Sequence, residues 1–200
     1  MKRRLLRALA HYAANTVSAF LLLPSFTSAQ SAQKYGVQAS VFTTGIPVND
    51  GTLNGFGIEG QFRLNRLKDI EATGGPLSLG IGGQYTSHSS ADDRTLKVSG
   101  VFVEPRVVID KGSAERFFPY VSARVAALRQ SSDFASTTNG FAVGVGGGFG
   151  YKLGPSMNLD VGVAVLQQSF GDATTPSGAS FKFGSLISYA AKIGVNLGFP

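Results

Sequence analysis

Apolar and polar residues alternate along most of this chain with a period of two. In "GFAVGVGGGFGYKLG", residues 140–154, Phe141, Val143, Val145, Gly147, Phe149 and Tyr151 fall on one face of an extended strand. Ala142, Gly144, Gly146, Gly148 and Gly150 fall on the other. A phosphate-binding loop would gather its glycines in a turn ahead of an apolar-periodic helix. These keep strand spacing and run into "LGPS", a turn signal, so they make one face of a strand thin. The alternation recurs at 35–41, 56–64, 77–86, 121–127, 157–165 and 188–199. Between 96 and 109 it is less tidy. Val101, Val103, Val107 and Ile109 share one face there, and Phe102, Glu104 and Arg106 the other. Pro105 lies on the apolar side and has no N–H to donate, which predicts a bulge or local distortion.

Eight strands of about ten residues have the length and even number of a membrane-spanning barrel. The make-up of the polar face separates this from a soluble sheet. A soluble sandwich or lipocalin-like barrel turns its apolar face inward and carries Lys and Glu freely on the wet one. Here the polar face is mostly Gly, Ser, Ala, Asn and Gln, which suits a narrow interior, while the uncharged apolar face suits lipid. Charged residues make up only 15 % of the chain, against about 25 % in soluble domains. The pattern therefore predicts an all-β chain, an eight-stranded antiparallel up-and-down transmembrane barrel.

Charge is concentrated at the start. Lys2, Arg3, Arg4 and Arg7 precede an apolar stretch at 17–23, then Pro24 and "SFTSAQ", with small residues at Thr27 and Ala29. That three-part layout reads as a secretory signal peptide over 1–29, leaving a barrel domain over 30–200. The formal charge of +6 arises from 18 Lys and Arg against 12 Asp and Glu; without the four leading cations it falls to +2. A nucleic-acid partner loses its support. With no cysteine, no disulfide holds the exported fold. The connections orient the barrel. "TGIPVNDGT", "HSSADDRT", "QSSDFASTTN" and "FGDATTPSGAS" are polar, turn-rich outer loops. "NRLKDIEATGGP", "DKGSAERFFP" and "KLGPS" are inner turns, the first two long for this architecture.

Three segments carry a resemblance: "PYVSARVAAL", "GFAVGVGGGFGYKLGPSMNLDVGVAV" and the terminal "YAAKIGVNLGF". They resemble the small outer-membrane β-barrel family of Gram-negative bacteria, with its OmpA-type transmembrane domain and its OmpX- and OmpW-type members. The resemblance covers nearly the whole chain after residue 29. It implies residence in the cell outer membrane, contact with membrane lipid and lipopolysaccharide, and insertion by the barrel-assembly machinery. The terminal strand is similar to the signal read by that machinery, which assigns Tyr189, Ile193, Val195, Leu197 and Phe199 to it. Pro200 follows the aromatic residue on which that signal normally ends.

Candidate chemistry is sparse, and no cofactor is expected. "GFGIEG", 55–60, matches a dinucleotide fingerprint by letter but sits inside an alternating strand with no helix behind it. No metal site is expected, since His11 leaves with the signal and His88 stands alone. In "SHSSADD", His88 and Ser90 with Asp92, Asp93 or Glu104 offer a base, a nucleophile and an orienting carboxylate. The pair resembles the His-x-Ser of barrel-shaped lipid A deacylases, with Ala91 where those enzymes have Asn. An ordinary polar loop is the simpler reading, and the chain is expected not to be an enzyme. The lumen offers ion pairs instead. A hairpin centred on Ala114 sets Glu104 across from Arg124, and one centred on Pro176 sets Asp160 across from Lys192, all inward by period two. Phe102 and Leu166 are the large apolar residues expected to join them. The expected function is a structural or surface-interaction barrel with a narrow, closed lumen. An OmpW-like channel for small apolar molecules and a deacylase are the alternatives.

Overall fold

The computed structural model describes residues 33–48, 51–89, 95–109, 116–133, 135–182 and 184–199. The expected signal peptide and Ser90 lie outside the described residues. Eight strands form one closed antiparallel barrel: β1 (Tyr35–Val48), β2 (Gly51–Ile70), β3 (Gly75–Ser89), β4 (Thr95–Val108), β5 (Phe117–Ser132), β6 (Thr138–Lys152), β7 (Met157–Phe170) and β10 (Ser185–Phe199). Each pairs with its neighbour in the chain, and β10 closes on β1. A short ribbon, β8 (Asp172–Thr174) with β9 (Ser180–Lys182), rises from the connection between β7 and β10.

The registers fix the stagger. From Phe42, hydrogen-bonded neighbours lead through Gly57 and Thr86 to Val98 on β4. The opposite route leads through Lys192, Gly162, Gly148 and Tyr120 to Val108 on the same strand, an offset of 10 residues. Eight strands sheared by that much tilt by about 40° and leave a bore only wide enough for side chains to fill.

Period-two alternation holds around the wall. Val145 is 67 % exposed and Val163 65 % on the outside, while Gln38, Phe102 and Ser188 are buried inside. The strands, at 14 to 20 residues, exceed the expected ten. "TGIPV" is ladder rather than loop, pairing up to Val48 opposite Gly51, with Ile46 buried inside. The first long inner turn is likewise mostly strand. β2 runs to Ile70 through an irregularity between Leu64 and Lys68, then turns in the 3-10 segment Glu71–Thr73. Gly74, at φ 66°, takes the left-handed conformation that closes this turn.

Pro105 inserts no extra residue. Leu79 lies opposite Pro105, and Val103 opposite Val125 and Arg106 opposite Ser122 keep one register. The ladder to β5 lapses between those pairs and resumes unshifted, so a missing donor is absorbed without a bulge.

The lumen as candidate functional site

Two kinds of side chain dominate the bore, and on β4, β5 and β7 the change from one to the other falls at a similar level. Along β4 from its loop end the inward residues are Leu96, Val98, Gly100 and Phe102, then Glu104 and Arg106. Along β5 in the opposite sense Tyr120, Ser122 and Arg124 give way to Ala126 and Leu128. On β7, Asp160 lies at the terminal end and Leu166 and Phe170 at the loop end. The apolar tier is one packed cluster of Leu96, Val98, Phe102, Ala126, Leu128, Ala142, Leu166 and Phe170. The charged tier lies beneath it.

Glu104 is the hub of the charged tier. Its Oε1 accepts from Arg63 Nη2 at 2.8 Å and Arg106 Nη2 at 3.1 Å, and its Oε2 from Arg124 Nε at 3.0 Å and Lys192 Nζ at 3.3 Å. Glu59 bridges the far side, 2.8 Å from Arg124 Nη1 and 3.1 Å from Lys192 Nζ. Asp160 takes Arg106 Nη1 at 2.6 Å, the Tyr120 hydroxyl at 3.1 Å and Gln38 Nε2 at 3.2 Å. Arg63 also donates to Gln61 and Ser78, and Arg124 to Gln84. Four cations thus share three carboxylates, drawn from five strands.

Carboxylates this deeply buried need several donors each to offset their lost hydration, and the wall supplies them. The tiers meet where Arg124 lies over the Phe102 ring, 4.0 Å from its centroid. Arg106 lies over Tyr120 at 3.7 Å. Such stacking lets a guanidinium sit against apolar surface without losing its hydrogen bonds.

Gly148 on β6 and Gly162 on β7 now have a specific use. A Cβ on Gly148 would stand 2.7 Å from the Tyr120 hydroxyl, and one on Gly162 2.5 Å from it. The bare backbone there admits the phenol that reaches Asp160. Between the tiers remains a cavity of about 40 Å³ bordered by Phe42, Glu59, Arg124, Leu166 and Lys192, which holds a few waters at most.

The structure brings Glu104 and Arg124 into contact, and their strands turn about the register centred on Ala114. It does not set Asp160 across from Lys192. Gly162 faces Lys192 and Gly194 faces Asp160. The cause lies in the connecting hairpin. Gly178 N donates to Thr175 O, Thr175 N to Ala179 O, and Gly178 takes φ 86°. This is a three-residue hairpin loop, Pro176–Ser177–Gly178, with Pro early and Gly in the left-handed position. Its centre is Ser177, and moving a hairpin centre by one residue moves every partner by two. Asp160 therefore bonds Arg106, and Lys192 bonds Glu59 and Glu104.

The period of two at 56–64 and 96–109 puts Glu59, Gln61, Arg63 and Arg106 on the polar face but assigns them no partners. Their signal was the same period of two, but their contacts cross the bore rather than a ladder. His88 belongs to β3, not to a loop. It is 2 % exposed, points into the lumen, and its ring lies over Gly55, where a Cβ would be 2.7 Å from Nε2. Tyr189, Ile193 and Phe199 are exposed on the outer wall of β10, with Val195 and Leu197 half-buried on the same face. Among the described residues no group of three or more His, Cys, Asp or Glu could hold a metal ion, and no helix is long and apolar enough to cross a membrane.

No family model matches the sequence, and no curated protein matches it. Among solved structures, Neisserial surface protein A superposes with a TM-score of 0.66 at 19 % identity, over 83 % of this chain and 97 % of that one. The outer membrane protein OprG from Pseudomonas aeruginosa gives 0.48 at 13 % identity, over 86 % and 99 %. Ail, the attachment invasion locus protein of Yersinia pestis, gives 0.44 at 12 %, over 82 % and 97 %. The closed, sheared, side-chain-filled barrel of this chain is the fold of the small eight-stranded outer-membrane barrels.

Proposed function

We propose that the protein resides in the Gram-negative outer membrane as a structural or surface-interaction barrel with a closed lumen, exported by its first 29 residues. The observation that carries this reading is the occupied bore: an apolar cluster stacked on an ion-pair network supports a closed lumen. The outer wall supports the location. Tyr189 and Phe199 on β10, and Phe141 and Tyr151 on β6, stand 10 residues apart on exposed faces. At about 3.3 Å per residue and a tilt near 40°, that spans about 25 Å, the height of an outer-membrane apolar band. Tyr35, Phe62 and Phe199 cluster at one rim, with centroids 5.9 to 6.3 Å apart. Tyr35, Phe199 and the turn after β6 then face the periplasm, and the ribbon β8–β9 faces outward. The exposed face of β10 from Tyr189 to Phe199 serves as the assembly signal.

An inward His88 has no access to lipid from the wall, which supports a role without catalysis. Expression of the protein is expected to leave lipid A acylation unchanged, with or without His88→Ala. The deciding experiment is planar-bilayer conductance of the refolded protein, together with the mobility shift between folded and boiled samples. The expected result is a heat-modifiable band and negligible steady current. A steady large conductance would favour the channel reading, and a soluble, unshifted monomer without detergent would remove the membrane altogether. Val145→Arg on the wall is expected to cost about 2–4 kcal/mol of folding stability in lipid.

A further inference from the structure

We propose that Lys97 and Arg129, on the outer wall of the barrel, bind the phosphate of an outer-leaflet lipid, lipid A in the membrane proposed above. The site rests on that membrane reading. Both side chains are exposed. Lys97 lies opposite Ser131 and Ser99 opposite Arg129, so the two cations are diagonal neighbours on one face of adjacent strands, about 7–8 Å apart and within reach of long side chains.

Their position is specific. Tyr85 lies opposite Ser99 and Ser87 opposite Lys97, which puts Lys97 one step loop-ward of the row that Tyr85 shares with Ser99 and Arg129. Phe141 stands two residues below Asn139, the partner of Arg129. Below them the outward residues are Val101, Ala127 and Val125, apolar and mostly small. A lipid seated here lays its acyl chains along that wall and presents its headgroup to the cations. The outward neighbours on β3 to β6 at this level are Ser87, Ser99, Ser131 and Asn139, donors to a phosphate rather than competitors for the cations. Asp133, the nearest described carboxylate along β5, lies four residues further on and past the strand end. Arg66 at the opposite rim differs: it is paired with Asp69 at 3.0 Å, and Glu71 is close in sequence. An Arg fork beside a Lys point charge suits one phosphate group held from two sides.

The test uses refolded full barrel in detergent micelles, titrated with bisphosphorylated lipid A and read by native mass spectrometry of the retained lipid. An anionic headgroup gains about fivefold in affinity per nearby cation. Lys97→Gln with Arg129→Gln is therefore expected to weaken lipid A binding about 25-fold, and Lys68→Gln with Lys152→Gln at the other rim to leave it unchanged. Dephosphorylated lipid A is expected to bind wild type and double variant alike, and millimolar inorganic phosphate is expected not to displace lipid A. Equal binding by wild type and double variant would overturn the site, as would equal loss in the opposite-rim variant or ready displacement by phosphate. Both proteins must show the folded, heat-modifiable band. If that band is present and lipid binding is indifferent to the cations, the site alone falls. A wild type that is soluble without detergent removes the membrane reading instead.

Discussion

The two halves of the lumen solve one packing problem by opposite chemistry. Toward the loops, Leu96, Val98, Leu128, Leu166 and Phe170 fill the bore as they would the core of a soluble protein. Toward the termini, Glu104 and its four cationic partners fill the same diameter with long, hydrogen-bonded side chains. In the apolar half each residue contributes through contact area, so losses are local and graded. In the charged half Glu104, Glu59, Arg106, Arg124 and Lys192 each pair with two or more opposite charges, so one deletion there strands charges on several strands.

The largest effect therefore belongs to the hub. Glu104→Ala is expected to cost about 3–5 kcal/mol by urea titration in lipid vesicles, because four buried cations lose a partner. Adding Arg124→Ala should restore part of that loss. Additive losses in the cycle would make the charged half a set of independent pairs and erase the contrast. Leu166→Ala in the apolar half is expected to cost about 2–4 kcal/mol, with a loss additive to that of Glu104→Ala. Conductance sharpens the comparison further. Emptying either half alone is expected to leave the barrel closed. Combining Phe102→Ala and Leu166→Ala with Glu104→Ala and Arg124→Ala should produce steady current. Current from a single-half variant would mean that the other half is no barrier. The smallest effect is at the wall of the charged half. Tyr120→Phe removes the hydroxyl that reaches Asp160 and is expected to cost about 1 kcal/mol. Gly162→Ala, which crowds that hydroxyl, should cost less in the Tyr120→Phe background than in wild type.

Strand number and the inward or outward sense of each residue were legible because alternation is imposed residue by residue along a strand. Strand length was not. The loop-ward extension at 44–48 and the stretch at 65–70 contain Thr, Gly, Pro, Asn and Asp, residues that signal turns locally. They are held in the ladder by the neighbouring strand, as Ile46 opposite Leu53 shows. The candidate site divides in the same way. Glu104 and Arg124 meet across a ladder, so hairpin geometry suffices to find them. Arg106 meets Asp160, 54 residues away, and Lys192 meets Glu59 across the closing seam. Those contacts depend on shear and bore, properties of the whole barrel that no segment carries alone. The turn around Pro176 shows a finer limit, since one residue of turn chemistry decides which partner a charge receives.

The seam between β1 and β10 also orders events in time. Lys192 lies on the last strand of the barrel in chain order, yet it contacts Glu59, 133 residues earlier, and Glu104, 88 residues earlier. Until β10 docks, an open sheet holds both carboxylates short of one cation each, facing a half-built interior. Closure and neutralisation are then a single late step whose contacts are almost all distant in sequence, the class that forms slowly. A chain arrested before that step would display a row of charged side chains that the finished barrel hides, giving any factor that handles unfinished barrels a chemical mark of incompleteness.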